Sequence, residues 1–268
     1  MVDDVVMATT RHVLGLSGGK DSAALAVFMR DRVPQMEYFF CDTGAELPET
    51  YGYLLKLEAL LGKPIARLNS GRPFEHWMEV YRGTLPSPQM RWCTRQMKLK
   101  PLEDWLGDDP AISYVGLRAD EQREGYVSTR QNITSVFPFR EHGIDLHDVH
   151  RILDDAGLGL PAYYAWRSRS GCYFCFFQRK AEWVGLADQH PELFAQAVEL
   201  ERKAGFEATQ MEGRQYTWSQ GESLDALVAR RDEILAATGR ATTPASNRLL
   251  DVLAGDDDDE RACLVCDL

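Results

Sequence analysis

The first residues able to do chemistry form the hexapeptide SGGKDS, residues 17–22, between two apolar runs. Its two glycines permit a tight turn and let an oxyanion approach the backbone, because no Cβ atom obstructs it. A helix that begins here points its unbonded N–H groups and positive dipole end at the ligand. Ser17, Lys20 and Ser22 add hydroxyl donors and a cation. The hexapeptide therefore predicts a phosphate-binding loop, although it lacks the Walker A pattern.

Two Cys-x-x-Cys pairs are the second group of reactive residues. Cys172 and Cys175 form one pair, and Cys263 and Cys266 form the other. A Cys-x-x-Cys turn brings two thiolates to one metal, so two pairs supply a tetrahedral zinc site or a [4Fe–4S] cluster. Metal-free thiol chemistry and a sulfur-relay role of the second pair remain open.

Cys93 is a fifth candidate. Its neighbours Arg91 and Arg95 favour a thiolate, so Cys93 is a candidate nucleophile, persulfide carrier or cluster ligand. Cys41 lies within an apolar run and is expected in the core.

The composition limits the classes of function. The chain has 268 residues, a net charge of −11 and a hydrophobic fraction of 44%. Such an acidic chain does not coat nucleic acid by bulk electrostatics. However, residues 91–100 and 167–180 contain Arg and Lys without any acidic residue, which suits a local binding site for an anion. Without a long apolar run or a basic N-terminus, we expect a cytoplasmic protein, not a membrane protein.

The elements that must position these residues alternate between strands and helices. We expect an α/β fold with a mainly parallel twisted sheet and helices on both faces, followed by a helical C-terminal region. SGGKDS, CDTG (41–44) and GLRADE (116–121) each follow a predicted strand, so they meet at the carboxyl edge of the sheet. The predicted strands are Val13–Leu16, Glu37–Cys41, Pro64–Leu68 and Ile112–Leu117, and the predicted helices include Asp21–Arg32, Pro48–Leu61 and Lys98–Leu106.

Three regions follow from this pattern. Residues 1–180 are predicted as the α/β domain with a Cys-x-x-Cys pair, 181–255 as a helical region, and 256–268 as an acidic Cys-x-x-Cys tail.

SGGKDS resembles the pyrophosphate loop (PP-loop) of the adenine nucleotide alpha-hydrolase superfamily. That superfamily includes sulfonucleotide reductases, tRNA thiolation enzymes and the ATP pyrophosphatases of DNA phosphorothioation. FFCDTGAELPETYGYL (39–54), RWCTRQMKLKPLEDWL (91–106) and GLRADEQREG (116–125) are similar to segments of the reductase branch, and GCYFCFF (171–177) follows as in several iron–sulfur members. The resemblance covers roughly residues 11–180 and is greatest to the phosphorothioation subunit.

The resemblance implies roles for individual residues. Asp42 would lie near the nucleoside, and Arg118 and Arg123 would neutralise charge on the phosphates or the acceptor. Lys20, Asp21, Cys93 and Arg118 are the implied catalytic residues. ATP phosphates and Mg²⁺ would be held by Ser17, Gly18, Gly19, Lys20, Asp21 and Ser22. An iron–sulfur cluster would take its ligands from Cys93, Cys172, Cys175, Cys263 and Cys266.

The implied activity is an ATP pyrophosphatase acting in sulfur transfer. It would adenylate an acceptor oxygen, with DNA as the acceptor in preference to tRNA, and would receive sulfur from a cysteine desulfurase. A phosphoadenylyl- or adenylyl-sulfate reductase and a tRNA thiolase are the alternatives. The tail ERACLVCDL lacks the Gly-Leu-His that follows the reductases' catalytic cysteine, and their Cys-Cys dipeptide is also absent. A non-enzymatic nucleotide-binding module is a further hypothesis, against which the intact loop counts.

Overall fold

The described part of the chain folds around a five-stranded parallel sheet. The computed structural model describes residues 9–122, 128, 130–212 and 216–241, with side chains omitted for 205–212 and 239–241. The strand order is β3-β2-β1-β4-β5, and every neighbouring pair is parallel. The strands are β1 Arg11–Gly15, β2 Glu37–Cys41, β3 Ile65–Leu68, β4 Ala111–Tyr114 and β5 Ile133–Val136.

Helices connect the strands and continue after the sheet. They are α1 Lys20–Met29, α2 Pro48–Leu61, α3 Phe74–Val80, α4 Trp92–Thr94, α5 Lys100–Leu106, α6 Pro138–Glu141, α7 Leu146–Asp155, α8 Lys180–Gln189, α9 Pro191–Glu212, α10 Leu224–Ala229 and α11 Arg231–Ala241.

Successive strand residues face opposite sides of the sheet, and each side carries its own core. Leu14 and Phe40 pack with residues of α1, α2 and α7. Their neighbours Val13 and Phe39 pack with residues of α5 on the other side. Both faces of the sheet are therefore covered, which confirms the predicted α/β class with its helical C-terminal part.

Helix boundaries lie at the predicted residues where the sequence carries a start or stop signal, such as Pro in the first turn or Gly after the last. Helix α2 has the predicted bounds, with Pro48 in its first turn and Gly62 in the left-handed conformation after its end. Helix α1 begins at Lys20 but ends at Met29, before the predicted Arg32. The edge strand β5 was not predicted, because its four residues, Ile-Thr-Ser-Val, are too few to show a clear apolar period.

The predicted helix Lys98–Leu106 is one part of a longer helical stretch. Helix α4 runs into a π-helical stretch, Arg95–Leu99, which runs into α5. A π-helical turn widens the helix locally and is often found at functional sites. Here it directly follows the helix that holds Cys93 and contains Lys98.

The helices after the sheet share a third core with segments between the strands. Trp183 and Trp218 pack in one cluster with Phe74, Trp92 and Phe174. The later helices therefore lie against α3 and α4. The division at residues 180 and 255 stays a prediction, and residues beyond 241 lie outside the described part. Across the described residues, no helix is long and apolar enough to cross a membrane.

Candidate functional site

The loop between β1 and α1 requires both of its glycines. Gly18 has φ +74°, and a Cβ atom there would lie 2.5 Å from Cγ2 of Thr50. At Gly19 a Cβ atom would lie 2.7 Å from Oγ of Ser170. The side chains of Ser17 and Ser22 meet inside the turn, with 3.1 Å between their Oγ atoms. The loop is thus a tight strand-to-helix turn, as SGGKDS predicts.

Asp21 lies between two cations at the start of α1. Its Oδ2 is 3.1 Å from Nζ of Lys20, and its Oδ1 is 3.0 Å from Nη1 of Arg118. Burial lowers the pKa of Lys20, but the carboxylate of Asp21 and the neighbouring Tyr164 together outweigh burial, and the pKa is raised. The two cations and the N-terminus of α1 favour an anionic ligand at the loop.

Arg118 is held in place by acidic side chains and by the packing of β4. It forms ion pairs with Asp120 and Glu121 as well as with Asp21, and its side chain is only 14% exposed. Just before it, Gly116 packs against the backbone of Asp21, where a Cβ atom would lie 3.1 Å from the carbonyl. Arg118 therefore lies beside the predicted phosphate-binding loop, residues 17–22 (the phosphate loop). Arg123 lies outside the described residues.

Asp42 follows β2 at the same edge of the sheet. Its Oδ1 accepts hydrogen bonds from Oη of Tyr51 at 2.8 Å and from the backbone N–H of Gly44 at 3.0 Å. Because β2 is the neighbour of β1, Asp42 and the phosphate loop share the carboxyl edge.

Three loop contacts come from a segment that sequence reasoning did not assign to the site. Oη of Tyr163 donates to the carbonyl of Gly18 at 2.7 Å, and Oη of Tyr164 accepts from the backbone N–H of Lys20 at 3.2 Å. Oγ of Ser170 donates to Oγ of Ser17 at 3.0 Å. The segment that leads to Cys172 is therefore bound to the phosphate loop.

The cysteines converge on one cavity. Cys93, Cys172 and Cys175 line a cavity of about 470 Å³, open mouth included. Aromatic rings form much of its remaining wall, and Lys98 and Thr43 are among its polar residues. Burial raises the pKa of Cys172 well above the usual value of a thiol. Cys41 is buried apart from these three, as expected of a core residue, and its Sγ donates to the carbonyl of Lys98.

The described cysteines do not complete a metal site by themselves. Within the described ranges, no three His, Cys, Asp or Glu side chains are placed to hold a metal ion. Cys263 and Cys266 lie outside those ranges. The described residues therefore do not fit a zinc ion or a cluster unaided.

A buried carboxyl group, also missed from the sequence, separates the two regions. Glu46 accepts hydrogen bonds from Oγ1 of Thr43 at 2.6 Å and from Oη of Tyr51 at 3.2 Å, and burial raises its pKa. Sγ of Cys172 is 3.8 Å from its Oε1. Glu46 also lines a second cavity, which reaches Ser17 of the loop. Lys98 lines both cavities, so the phosphate loop and the cysteines are neighbours.

Comparisons with known proteins give several relatives of this chain. The chain is 25% identical over 222 residues to an uncharacterized protein of Methanocaldococcus jannaschii, a match that covers 76% of this chain and 51% of the relative. It is 30% identical over 162 residues to a tRNA-specific 2-thiouridylase of a Psychrobacter species, covering 55% and 37% of the two chains. The chain thus spans about half, or less, of these two curated relatives.

A solved structure is also similar. It is the phosphoadenylyl-sulfate reductase of Candida auris in complex with phosphate, with a TM-score of 0.48 and 15% identity, covering 63% of this chain and 84% of the other. At the level of families, residues 11–154 match the phosphoadenosine phosphosulfate reductase domain. This match spans more than half of the chain and contains the phosphate loop, Asp42, Cys93 and Arg118. The chain therefore belongs to the phosphoadenosine phosphosulfate reductase domain family, which uses adenine nucleotides.

Proposed function

We propose that this protein is an ATP pyrophosphatase that activates an acceptor for sulfur transfer, the acceptor being a backbone phosphate of DNA. The main support is the position of the phosphate loop beside a cavity lined by three cysteines. The loop supplies the features that bind a nucleotide phosphate, and the cysteines supply sulfur chemistry next to it. A cysteine desulfurase is the proposed sulfur donor.

In the proposed reaction, an acceptor oxygen attacks the α-phosphorus of ATP, and the bond to the bridging oxygen breaks. Pyrophosphate leaves, and the acceptor carries AMP. Lys20 and Arg118, which both contact Asp21, would stabilise the negative charge that accumulates on the leaving group, and such fixed charges are a large part of catalysis. Asp21 is the loop carboxylate that would hold Mg²⁺ beside the phosphates. The terminal sulfur of a cysteine persulfide, loaded by the desulfurase, then attacks the DNA phosphorus, and AMP leaves as its bond to that phosphorus breaks. A second cysteine thiolate cleaves the S–S bond, which leaves the phosphorothioate and a disulfide that a thiol reductant reduces before the next turnover.

The products test this chemistry. With ATP, Mg²⁺, DNA, a cysteine desulfurase with its cysteine substrate and a thiol reductant, the protein should release AMP and pyrophosphate, whereas release of ADP and phosphate would contradict the proposal. Lys20→Ala and Asp21→Ala should each lower the rate strongly. Lys56→Ala is the matched control, because Lys56 is an exposed lysine on α2. Wild-type rates in both loop variants would exclude the loop from the mechanism.

A sulfonucleotide reductase is the second candidate, and the family match favours it. That enzyme would release sulfite from phosphoadenylyl sulfate in the presence of a thiol reductant. Sulfite release without pyrophosphate release from ATP would therefore establish the reductase.

A tRNA thiolase is the third candidate, supported by the similarity to the thiouridylase. Radioactive sulfur supplied through a cysteine desulfurase should enter DNA under the main proposal. Its appearance in tRNA, and not in DNA, would establish the thiolase instead.

The iron–sulfur cluster is also a proposal. We expect about four iron and four acid-labile sulfide per chain after anaerobic purification, the content of a cubane cluster. Because the described cysteines do not complete a site, Cys263→Ser with Cys266→Ser should lower that content. Zinc without sulfide would show a structural metal site.

A further inference from the structure

Two segments of this acidic chain contain no acidic residue. Residues 81–102 carry five Lys and Arg, and residues 156–181 carry four, whereas the whole chain has a net charge of −11. Both segments contribute to the wall of the cysteine cavity. Positive charge is therefore concentrated around that cavity.

The two segments meet at one aromatic ring. The guanidinium carbon of Arg91 lies 5.6 Å from the ring centre of Phe177, and that of Arg169 lies 5.1 Å from it. Phe177 itself lines the cavity, as does Lys98. Stacking on a ring limits the freedom of both guanidinium groups, so they lose less conformational entropy when they bind a ligand. Arg91, Lys98 and Arg169 are named the cationic rim.

We propose that the cationic rim is the docking surface for the phosphate backbone of duplex DNA. Guanidinium groups suit phosphate oxygens, and the acidic remainder of the molecule repels DNA, so contact is confined to the rim. The cavity behind the rim is lined mainly by thiols and apolar groups, with Lys98 as a cation in its wall, so the contacts to phosphate oxygens would come from the rim and the thiols would lie behind the bound phosphate. This inference rests on the proposed function in taking DNA as the acceptor.

Fluorescence anisotropy with a labelled DNA duplex tests the rim directly. The full-length protein is titrated without nucleotide at several salt concentrations. Arg91→Gln with Arg169→Gln should weaken binding at least tenfold at low salt. It should also reduce the slope of log affinity against log salt by about 1.8, at ~0.9 per phosphate contact. Lys56→Gln removes a positive charge from an exposed position on α2, and this variant should bind DNA as tightly as the wild type does.

Three outcomes would overturn the proposal. They are undetectable binding by the wild type, equal affinity of the rim variant and the wild type, and tighter binding of an RNA duplex of the same sequence. Circular dichroism checks that the variant is folded. If it is not, Arg91→Lys with Arg169→Lys is used, which keeps the charge and should leave the salt slope unchanged while binding weakens.

The pyrophosphate assay separates this inference from the proposed function. DNA binding that depends on the rim, without pyrophosphate release, would contradict the chemistry and leave the rim supported. If the protein releases pyrophosphate but the rim variant binds DNA as tightly as the wild type does, only the rim proposal is overturned.

Discussion

At the residue scale, the candidate site is organised around Asp21. One carboxylate contacts both Lys20 and Arg118, so it orients two cations that would otherwise repel each other. A bound phosphate would give each cation a further anionic partner. The arrangement therefore positions charge for a ligand before it arrives, which limits the reorganisation needed during the reaction.

Arg118 offers a specific test of that arrangement. Arg118→Gln removes the positive charge but keeps hydrogen-bond donors, and we expect the rate of pyrophosphate release to fall about 100-fold. Steady-state kinetics with ATP as the varied substrate measures this. Arg32→Gln, in an exposed position after α1, is the control. A change confined to KM would mean that Arg118 binds ATP without stabilising the transition state.

Thiol reactivity is the second prediction at this scale. Burial raises the pKa of Cys41 to about 12, so at pH 8 only about one molecule in ten thousand carries the reactive thiolate. Cys41 should therefore label slowly with iodoacetamide in the folded protein, and faster as the pH rises. Peptide mass spectrometry measures the labelling, with denatured protein as the control. Equal rates in folded and denatured protein at pH 8 would contradict the burial of Cys41.

At the scale of elements, the site depends on close contacts between backbones. Gly18 and Gly116 let α2 and β4 approach the start of α1, where side chains would collide. The phosphate loop is thus held by its neighbours as well as by its own turn. A glycine substitution here acts on packing and on the ligand site together.

Gly18→Ala should lower the free energy of unfolding by about 1–3 kcal/mol, because φ is positive and Thr50 occupies the space of the new methyl group. Gly52→Ala should instead raise it by about 0.5–1 kcal/mol, since Gly52 lies within α2 and nothing lies within 4 Å of its Cβ position. Urea unfolding of both variants measures the difference. Similar effects of the two substitutions would contradict the tight packing at Gly18.

At the scale of the whole molecule, the part that follows the sheet belongs to the site. Tyr163 and Ser170 bind the phosphate loop, and the chain then continues to Cys172 and Cys175. The third core joins this segment to the later helices. Loop, cysteines and helices are therefore parts of one connected structure.

Tyr163→Phe tests this connection. It leaves the buried carbonyl of Gly18 without its donor, which should cost about 1–3 kcal/mol of unfolding free energy. The variant should also bind ATP more weakly, since the loop loses a support. Thermal unfolding with and without ATP and Mg²⁺ measures both effects. Tyr81→Phe is the control, because the hydroxyl of Tyr81 accepts from Gln96, away from the loop. Identical melting and ATP shifts in both variants would contradict the connection.

The sequence by itself determined the features that depend on near neighbours in the chain. The phosphate loop, the bounds of α2 and the α/β class follow from glycine spacing, caps and apolar periods, all of which act over a few residues. The roles of Asp42 and Arg118 came only from family resemblance, whereas the Cys-x-x-Cys spacing and the arginines beside Cys93 indicated metal binding or thiol chemistry. All of these roles remain predictions.

Only the tertiary structure decided which distant residues meet. Glu46 next to Cys172, Ser170 on Ser17, and two arginines on Phe177 have no local signature, because each contact joins segments that are far apart in the chain. Their meeting depends on strand order and on the packing of the third core. The sequence therefore specified the parts of the site, and the fold specified their combination.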